Sequence, residues 1–314
     1  MNTREQLLAL NEELRRLKTE GRRTVSVSEE AMATLRASLA DEPEEAVPVG
    51  GAPAPREALT QYAVAGVADP GPAATRPVTP PKPAAPMAAA TFTLPDGDKA
   101  TRWNALREIV LADKVCKERV YPGKQIVFGV GSLDAAIMFV GEAPGGDEEI
   151  QGEPFVGRAG QLLNRMIKAM GLDRGQVYIG NILNWRPEMG VRNSDGSQTG
   201  NRPPTAEEMA YCLPFIRAQI ALIQPKVLVA LGKTAVDGLL GFDRFKSMGA
   251  ARGAWHQYAD TPLRATYHPS YLLRQEGLKS APAMKIKRDA WEDLLAVMER
   301  AGLPISEKQR NYFL

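Results

Sequence analysis

The chain has 314 residues, 44% of them hydrophobic and 24% charged, and this composition is typical of a globular protein with one sizeable core or two smaller ones. Because it has only two cysteines, no signal-peptide pattern and no apolar run near the roughly 18 to 20 residues that span a bilayer, we expect a cytoplasmic protein without a membrane segment. The net charge of +2 combines −3 for residues 1–97 with +5 for residues 98–314, a surplus too small to identify nucleic acid as a partner.

The N-terminal region contains two predicted segments. Within residues 1–40, four leucines recur at helical spacing and predict an amphipathic helix: Leu7, Leu10, Leu14 and Leu17. This helix either binds a protein partner or another copy of itself, or is a helix that is weakly docked or frayed. Residues 41–97 are rich in proline and alanine, with twelve of the 24 prolines, and predict a disordered linker because such a composition buries too little apolar surface.

Strands and helices alternate in the third predicted segment, residues 98–314. Short apolar runs predict strands at 135–140, 177–183, 226–232 and 263–269, and 3.6-residue periodicity predicts helices at 159–172, 205–223, 233–241 and 289–302. The strands are apolar on both faces. This pattern predicts an α/β fold whose mostly parallel sheet is covered by helices on each side.

A long acidic, glycine-rich stretch follows the first predicted strand: residues 141–160 read GEAPGGDEEIQGEPFVGRAG. In open parallel sheets, ligands bind beyond the carboxyl ends of the strands. Asn181 and His268 also lie at or just after the carboxyl ends of predicted strands. We therefore expect the acidic loop, the amide and the imidazole to border one pocket.

Several common ligand classes lack support in this sequence. The loop has no Lys-Ser/Thr pair for phosphate, and the Gly-Lys-Thr at 232–234 has Val227 where a P-loop requires glycine. No strand is followed by the glycine pattern of dinucleotide sites. His256 and His268 are the only histidines, and neither has a second soft metal ligand at useful spacing.

Five segments in order resemble the family 4, iron-sulfur type uracil-DNA glycosylases across about residues 115–300. These segments are GEAPGGDEEIQGEPFVGRAGQLL, VYIGNILNWRP, NRPPTAEEMAYCLP, PKVLVALGKTA and TYHPSYLLR. The resemblance implies a three-layer α/β/α fold with a mostly parallel four-stranded sheet. It also implies a DNA-repair enzyme that flips uracil out of DNA and hydrolyses its N-glycosidic bond, which leaves an abasic site.

The resemblance assigns the substrate pocket residue by residue. Phe155 would stack on the extruded base, and the backbone of Gly141, Ala143 and Gly145 would border it. Asn181 would pair its amide with uracil O4 and N3–H, whereas cytosine presents the opposite pattern.

Three residues would carry the chemistry. His268 would donate a hydrogen bond to uracil O2 as negative charge accumulates there. Glu142 and Glu148 match the acidic positions of the family, and we favour Glu148 for orienting the attacking water and Glu142 for a supporting role, with the reverse assignment open.

The segment after His268 would contact DNA. Ser270, Tyr271, Leu272 and Arg274 are the candidates, with Tyr271 and Leu272 as the wedge that fills the gap left by the flipped base. Basic residues further on would hold phosphates or form a solvated helix face: Lys279, Lys285, Lys287 and Arg288.

The sequence departs from the family pattern at its cluster. Members hold a 4Fe-4S cluster with four cysteines, and this chain has only Cys116 and Cys212, with Trp185 at the third position. We interpret the two cysteines as remnants of cluster positions and expect neither a metal nor another cofactor. A polar insertion at residues 188–200 is a second departure and predicts a surface loop.

Two alternative functions remain open at this point. The first is a glycosylase for another deaminated base such as hypoxanthine, because the pocket walls outside the motifs are not visible. The second is a catalytically weak DNA-binding module. We expect a monomer whose substrate is uracil-containing DNA.

Overall fold

The computed structural model describes residues 88–190, 198–276, 278 and 280–313. The predicted N-terminal helix, most of the predicted linker, Lys279 and residues 191–197 of the insertion lie outside this part. The strands are β1 (Val130–Gly131), β2 (Ile137–Gly141), β3 (Tyr178–Asn181), β4 (Val227–Leu231), β5 (Trp255–Tyr258) and β6 (Thr261–Thr266). The helices are α1 (Lys99–Ala112), α2 (Lys114–Arg119), α3 (Gly146–Gln151), α4 (Arg158–Ala169), α5 (Ala206–Ile223), α6 (Lys233–Leu240), α7 (Met248–Ala251), α8 (Pro269–Leu273), α9 (Ala281–Ala301) and α10 (Glu307–Arg310).

The sheet has the strand order β1-β3-β2-β4-β6-β5. The four central strands are mutually parallel and are the four that the sequence predicts, so the mostly parallel sheet is confirmed. Two short strands, β1 and β5, add antiparallel pairs at the edges, which gives six strands rather than four. β1 has only two residues and β5 is half exposed, so neither leaves a strong apolar pattern in the sequence.

Helices cover both faces of the sheet because the central strands bury side chains in both directions. On one face, Met138 and Val140 of β2 pack in an apolar cluster with α1, α5 and α6. On the other face, Ile137 and Phe139 pack with α4 and α9. The three-layer α/β/α arrangement inferred from the family resemblance is therefore present.

The chain order of the strands creates a crevice at the centre of the sheet. β2 comes first along the chain, and the next two parallel strands, β3 and β4, lie on opposite sides of it. This reversal of direction is the place where open α/β sheets bind ligands, beyond the carboxyl ends of the strands. Gly141 ends β2 directly beside Asn181, which ends β3.

The last residues of the predicted linker contact the domain. Phe92 stacks on Phe215 of α5 with ring centroids 5.4 Å apart, and the Ala90 N–H donates to the Tyr211 carbonyl. Within the described residues, no helix has the length and hydrophobicity needed to cross a membrane.

Candidate active site

The aromatic ring, the amide and the imidazole meet above the end of β2. A Cβ atom on Gly141 would collide with the Phe155 ring and with Oδ1 of Asn181, so both side chains lie against this glycine. The Phe155 and His268 rings have centroids 5.6 Å apart, with an angle of 36° between their planes. Residues that are far apart in the sequence thus form one group.

Asn181 carries an unsatisfied polar atom. Its side chain is 6% exposed, and its Oδ1 has no hydrogen-bond partner among the residues that the structure describes. A buried acceptor without a partner costs about 1 to 3 kcal/mol, so each one in a native structure calls for an explanation such as a bound ligand, a water or an ion. The Asn181 amide is therefore the strongest sign that this crevice binds a polar ligand.

The hydrogen bonds of His268 define its protonation. Its Nδ1 accepts from the backbone N–H of Ser270 at 3.1 Å and lies 2.8 Å from the Ser270 hydroxyl. A backbone N–H can only donate, so Nδ1 has the lone pair and the ring proton is on Nε2. Burial, and secondarily the charge of Arg274, lowers the pKa of His268 to about 4. The imidazole is therefore neutral near pH 7 and offers Nε2–H as a donor.

Glu142 follows β2 and faces the start of α6. The Thr234 hydroxyl donates to Oε2 of Glu142. Burial raises the pKa of Glu142, and the bond from Thr234 opposes that rise. The carboxyl group is thus held at the edge of the crevice where β2 and β4 end.

Glu148 has a different environment from Glu142. It is the third residue of α3, and its carboxylate accepts the backbone N–H groups of Gly145, Val156 and Gly157 at 3.0 to 3.1 Å. Both oxygens are engaged, so this carboxylate closes the acidic loop on itself. The geometry does not favour our sequence-based choice of Glu148 as the residue that orients water.

The two remaining loop residues, Ala143 and Gly145, have different neighbours. Ala143 is partly buried and packs against the apolar cluster on the α5 side of the sheet. Gly145 is the N-cap residue just before α3, and a Cβ there would come within 2.6 Å of Oε2 of Glu148. Its lack of a side chain therefore lets the Glu148 carboxylate reach the Gly145 backbone.

The four candidate DNA-contacting residues differ in exposure. Ser270 orients the His268 ring, and Tyr271 packs beside Tyr267 with Arg274 over its ring. Arg274 is exposed. Leu272 is only 6% exposed, because the short helix α8 turns it inward, so the structure does not present it as a wedge.

The basic residues after Arg274 make contacts within the chain. Lys285 pairs with Asp289, and Lys287 donates to the Leu278 carbonyl. Arg288 pairs with Glu292 and donates to the Tyr312 carbonyl. These contacts favour the interpretation of a helix face over that of a set of free phosphate ligands.

The residues around Cys116 and Cys212 do not fit a 4Fe-4S cluster. Such a cluster takes four thiolates, whereas Trp185 here is 1% exposed and packs in the same apolar cluster as the two cysteines. Hydrogen bonding to Cys212, together with burial, raises the pKa of Cys116, which opposes the thiolate form that binds metals. The described residues contain no group of three or more histidine, cysteine or acidic side chains that could hold a metal ion.

The ends of the insertion are tied together. The Gln198 side chain donates to the Pro187 carbonyl at 2.9 Å, and Arg186 donates to the carbonyls of Gln198 and Gly200. Arg186 also pairs with Glu149 of α3 at 2.9 Å. The base of the insertion is thereby fixed to the acidic loop.

Sequence reasoning missed two residues that orient the site. We considered Thr234 only as part of a possible phosphate loop, although its place in the first turn of α6, just after β4, puts it at the same edge of the sheet as Glu142. We considered Ser270 only as a DNA contact, although its hydroxyl and its backbone N–H both lie within hydrogen-bond distance of Nδ1 of His268.

The chain is similar in sequence to a family of known proteins. Residues 128–295 match the model of the uracil DNA glycosylase superfamily. This chain belongs to that superfamily. A type-4 uracil-DNA glycosylase of Thermotoga maritima is 40% identical over 149 residues, which cover 48% of this chain and 72% of the relative. Those of Pyrobaculum aerophilum and Archaeoglobus fulgidus are 35% and 38% identical, over 50% and 48% of this chain and 77% and 73% of theirs. The resemblance to this superfamily stated from the sequence is confirmed.

Proposed function

We propose that this chain removes uracil from DNA by hydrolysing the N-glycosidic bond and leaves an abasic site. The observation that carries the proposal is the buried Asn181 amide with its unpartnered Oδ1, beside an aromatic ring and a neutral histidine. The relatives named as type-4 uracil-DNA glycosylases support the same reaction.

Base recognition follows from the donor and acceptor pattern of the amide. Oδ1 of Asn181 accepts uracil N3–H, and the amide nitrogen donates to O4. Cytosine has an acceptor at N3 and a donor at C4, so both amide groups would be left unpaired at about 1 to 3 kcal/mol each. The Phe155 ring stacks on the extruded base.

Bond cleavage leaves a positive sugar and an anionic uracil. His268 stabilises the anion by donating from Nε2–H to O2, a contact that strengthens as charge develops. A neutral donor suits this task because a proton on Nδ1 would break the bond from Ser270.

A carboxylate stabilises the sugar and orients water. We now assign this task to Glu142, because its carboxylate has one side-chain donor, Thr234, whereas Glu148 is bonded to three backbone groups. Glu148 instead holds the loop that carries Phe155. The sequence-based order of the two glutamates is thus reversed in this proposal.

DNA contacts come from the segment after His268. Extruding a base from a duplex costs a few kcal/mol, so a group must fill the gap. Tyr271 is the better placed of the two wedge candidates, since Leu272 is buried, and Arg274 is exposed for a phosphate.

We also propose that the chain works without an iron-sulfur cluster. In this proposal the protein is a cytoplasmic monomer, and residues 1–40 serve as a site for a protein partner. Iron analysis and a visible spectrum of freshly purified protein test the first point, because bound iron with visible absorbance contradicts it.

In the decisive experiment, the protein is incubated with single- and double-stranded oligonucleotides that contain one uracil, one hypoxanthine or one cytosine. Alkali then cleaves the DNA at any abasic site that has formed. We expect scission at uracil alone for the wild type and a loss with His268→Ala. Preferential scission at hypoxanthine would mean that the chain is a glycosylase for hypoxanthine rather than for uracil. DNA binding without scission at any base would indicate a binding module instead.

A further inference from the structure

Phe155 has an unusual backbone conformation. Its φ is 55°, in the left-handed region that bulky residues rarely occupy. Such a conformation persists only where neighbouring contacts enforce it. The ring of this residue closes the base pocket over Gly141, so the contacts that fix the backbone also fix the ring.

Arg174 makes several of these contacts. It lies in the 3-10 turn Arg174–Gln176 that follows α4, and its guanidinium donates to the Pro154 carbonyl at 2.5 Å and to the Phe155 carbonyl at 3.2 Å. The same group donates to Oδ1 of Asn164 at 3.1 Å, which anchors it to α4. Two consecutive carbonyls on the two sides of the Phe155 Cα are thus held by one cation.

The backbone N–H groups of the two residues after Phe155 are bound by the carboxylate of Glu148. Glu148 accepts from Val156 and Gly157 and so restrains the other end of the loop. Gly160 lets α4 lie against the Phe155 backbone, because a Cβ there would overlap its carbonyl. Of these three supports, Arg174 alone bonds the carbonyls on both sides of the Phe155 Cα.

We propose that Arg174 is a positioning residue for base binding: it holds Phe155 in the left-handed conformation and so fixes the ring that stacks on the base. The stacking step rests on the proposed function, whereas the hold on the backbone does not. The planar guanidinium can bridge two carbonyls and an amide, which the single ammonium of lysine cannot do in one geometry.

The first test measures the loop without DNA. Arg174→Met keeps the length of the side chain and removes its donors. We expect faster amide hydrogen exchange in a peptide covering residues 152–160. Glu153→Gln is the matched control, since Glu153 pairs with the same guanidinium at 3.4 Å but its side chain is a partner in neither of the two carbonyl bonds. We expect exchange in this control to match the wild type.

The second test measures uracil excision. Arg174→Met should lower kcat/KM by about 10- to 100-fold, the scale on which small displacements of binding groups act. Arg174→Lys should fall between Arg174→Met and the wild type, and Glu153→Gln should match the wild type. In a Phe155→Ala background, Arg174→Met should cause no additional loss, because it acts through the ring.

Three results would overturn this role. Unchanged exchange in Arg174→Met refutes the hold on Phe155, and faster exchange with wild-type kcat/KM refutes its importance for the reaction. Full additivity with Phe155→Ala refutes action through the ring. If the wild type excises no uracil, the proposed function fails, and the exchange result alone then decides whether Arg174 holds Phe155.

Discussion

The base pocket and the region around Cys116 and Cys212 lie in one domain and differ in how their polar groups are satisfied. In the pocket, Asn181 keeps an unpaired acceptor, and Phe155 has a strained backbone. In the cysteine region, the Tyr211 hydroxyl donates to Asp113 at 2.9 Å, and Trp185 is packed tightly beside it.

This difference separates a site that has an unpaired buried acceptor and a strained residue from a region that has neither among the described residues. Unpaired groups and strain cost stability and are retained where function uses them. The cysteine region has neither an orphan polar atom nor a strained residue among those that the structure describes. We therefore expect changes there to affect stability and changes in the pocket to affect activity.

The largest expected effect is on stability, in the cysteine region. Trp185→Ala removes a buried aromatic side chain and should lower the free energy of unfolding by roughly 3 to 5 kcal/mol. Excision by the remaining folded protein should keep its wild-type kcat. Urea denaturation and an activity assay at low temperature measure the two quantities, and a kcat loss in fully folded Trp185→Ala would break the separation between the regions.

Removing the donor at His268 should affect activity instead. His268→Ala should lower kcat by about 100- to 1000-fold, the usual result of losing one such donor. His256→Gln is the matched control, because His256 is the other histidine and bonds to the Ala251 carbonyl, away from the pocket. Single-turnover kinetics on uracil-containing DNA measure kcat for both variants. An equal loss of activity in His268→Ala and His256→Gln would contradict a specific role for His268.

Asn181→Asp should change base selectivity. The carboxylate keeps an acceptor but loses the donor that uracil O4 needs, a difference of about 1 to 3 kcal/mol. We expect the ratio of uracil to cytosine excision to fall. Competition between the two substrates in one oligonucleotide measures this ratio, and an unchanged ratio would show that another group reads the base.

The smallest effect concerns pH. The pKa of His268 is lowered to about 4, so the neutral donor persists above that pH and is lost as the pH falls through it. As far as this histidine is concerned, kcat/KM should therefore be flat between about pH 6 and 8, across the usual histidine pKa near 6.5. A decline of kcat/KM as the pH rises through 6.5 would indicate a catalytic imidazolium.

The same shift affects stability. The unfolded chain binds a proton on His268 below about pH 6.5, while the folded chain does so only near 4, so this group lowers the stability as the pH falls between those values. Denaturation midpoints at two pH values, compared with those of His268→Gln, isolate its contribution.

The position of the pocket was predictable, but several details within it were not. Asn181 and His268 lie at or just after the ends of apolar strands, and parallel strands align their carboxyl ends, so sequence alone places them at one edge. The burial of Leu272 was not predictable, since α8 has five residues and shows no helical period. The bonds of Glu148 to Val156 and Gly157 were also hidden, because they depend on how the loop folds back.

The segment at 188–200 has its two ends bonded to each other, because Gln198 donates to the Pro187 carbonyl and Arg186 donates to the Gly200 carbonyl. A segment whose ends are clamped can lengthen by several residues for only a fraction of a kcal/mol in closure entropy, about 0.6 kcal/mol per doubling. This makes the excursion a natural attachment point for a fluorescent label or a peptide tag, which could report on DNA engagement while leaving the sheet intact.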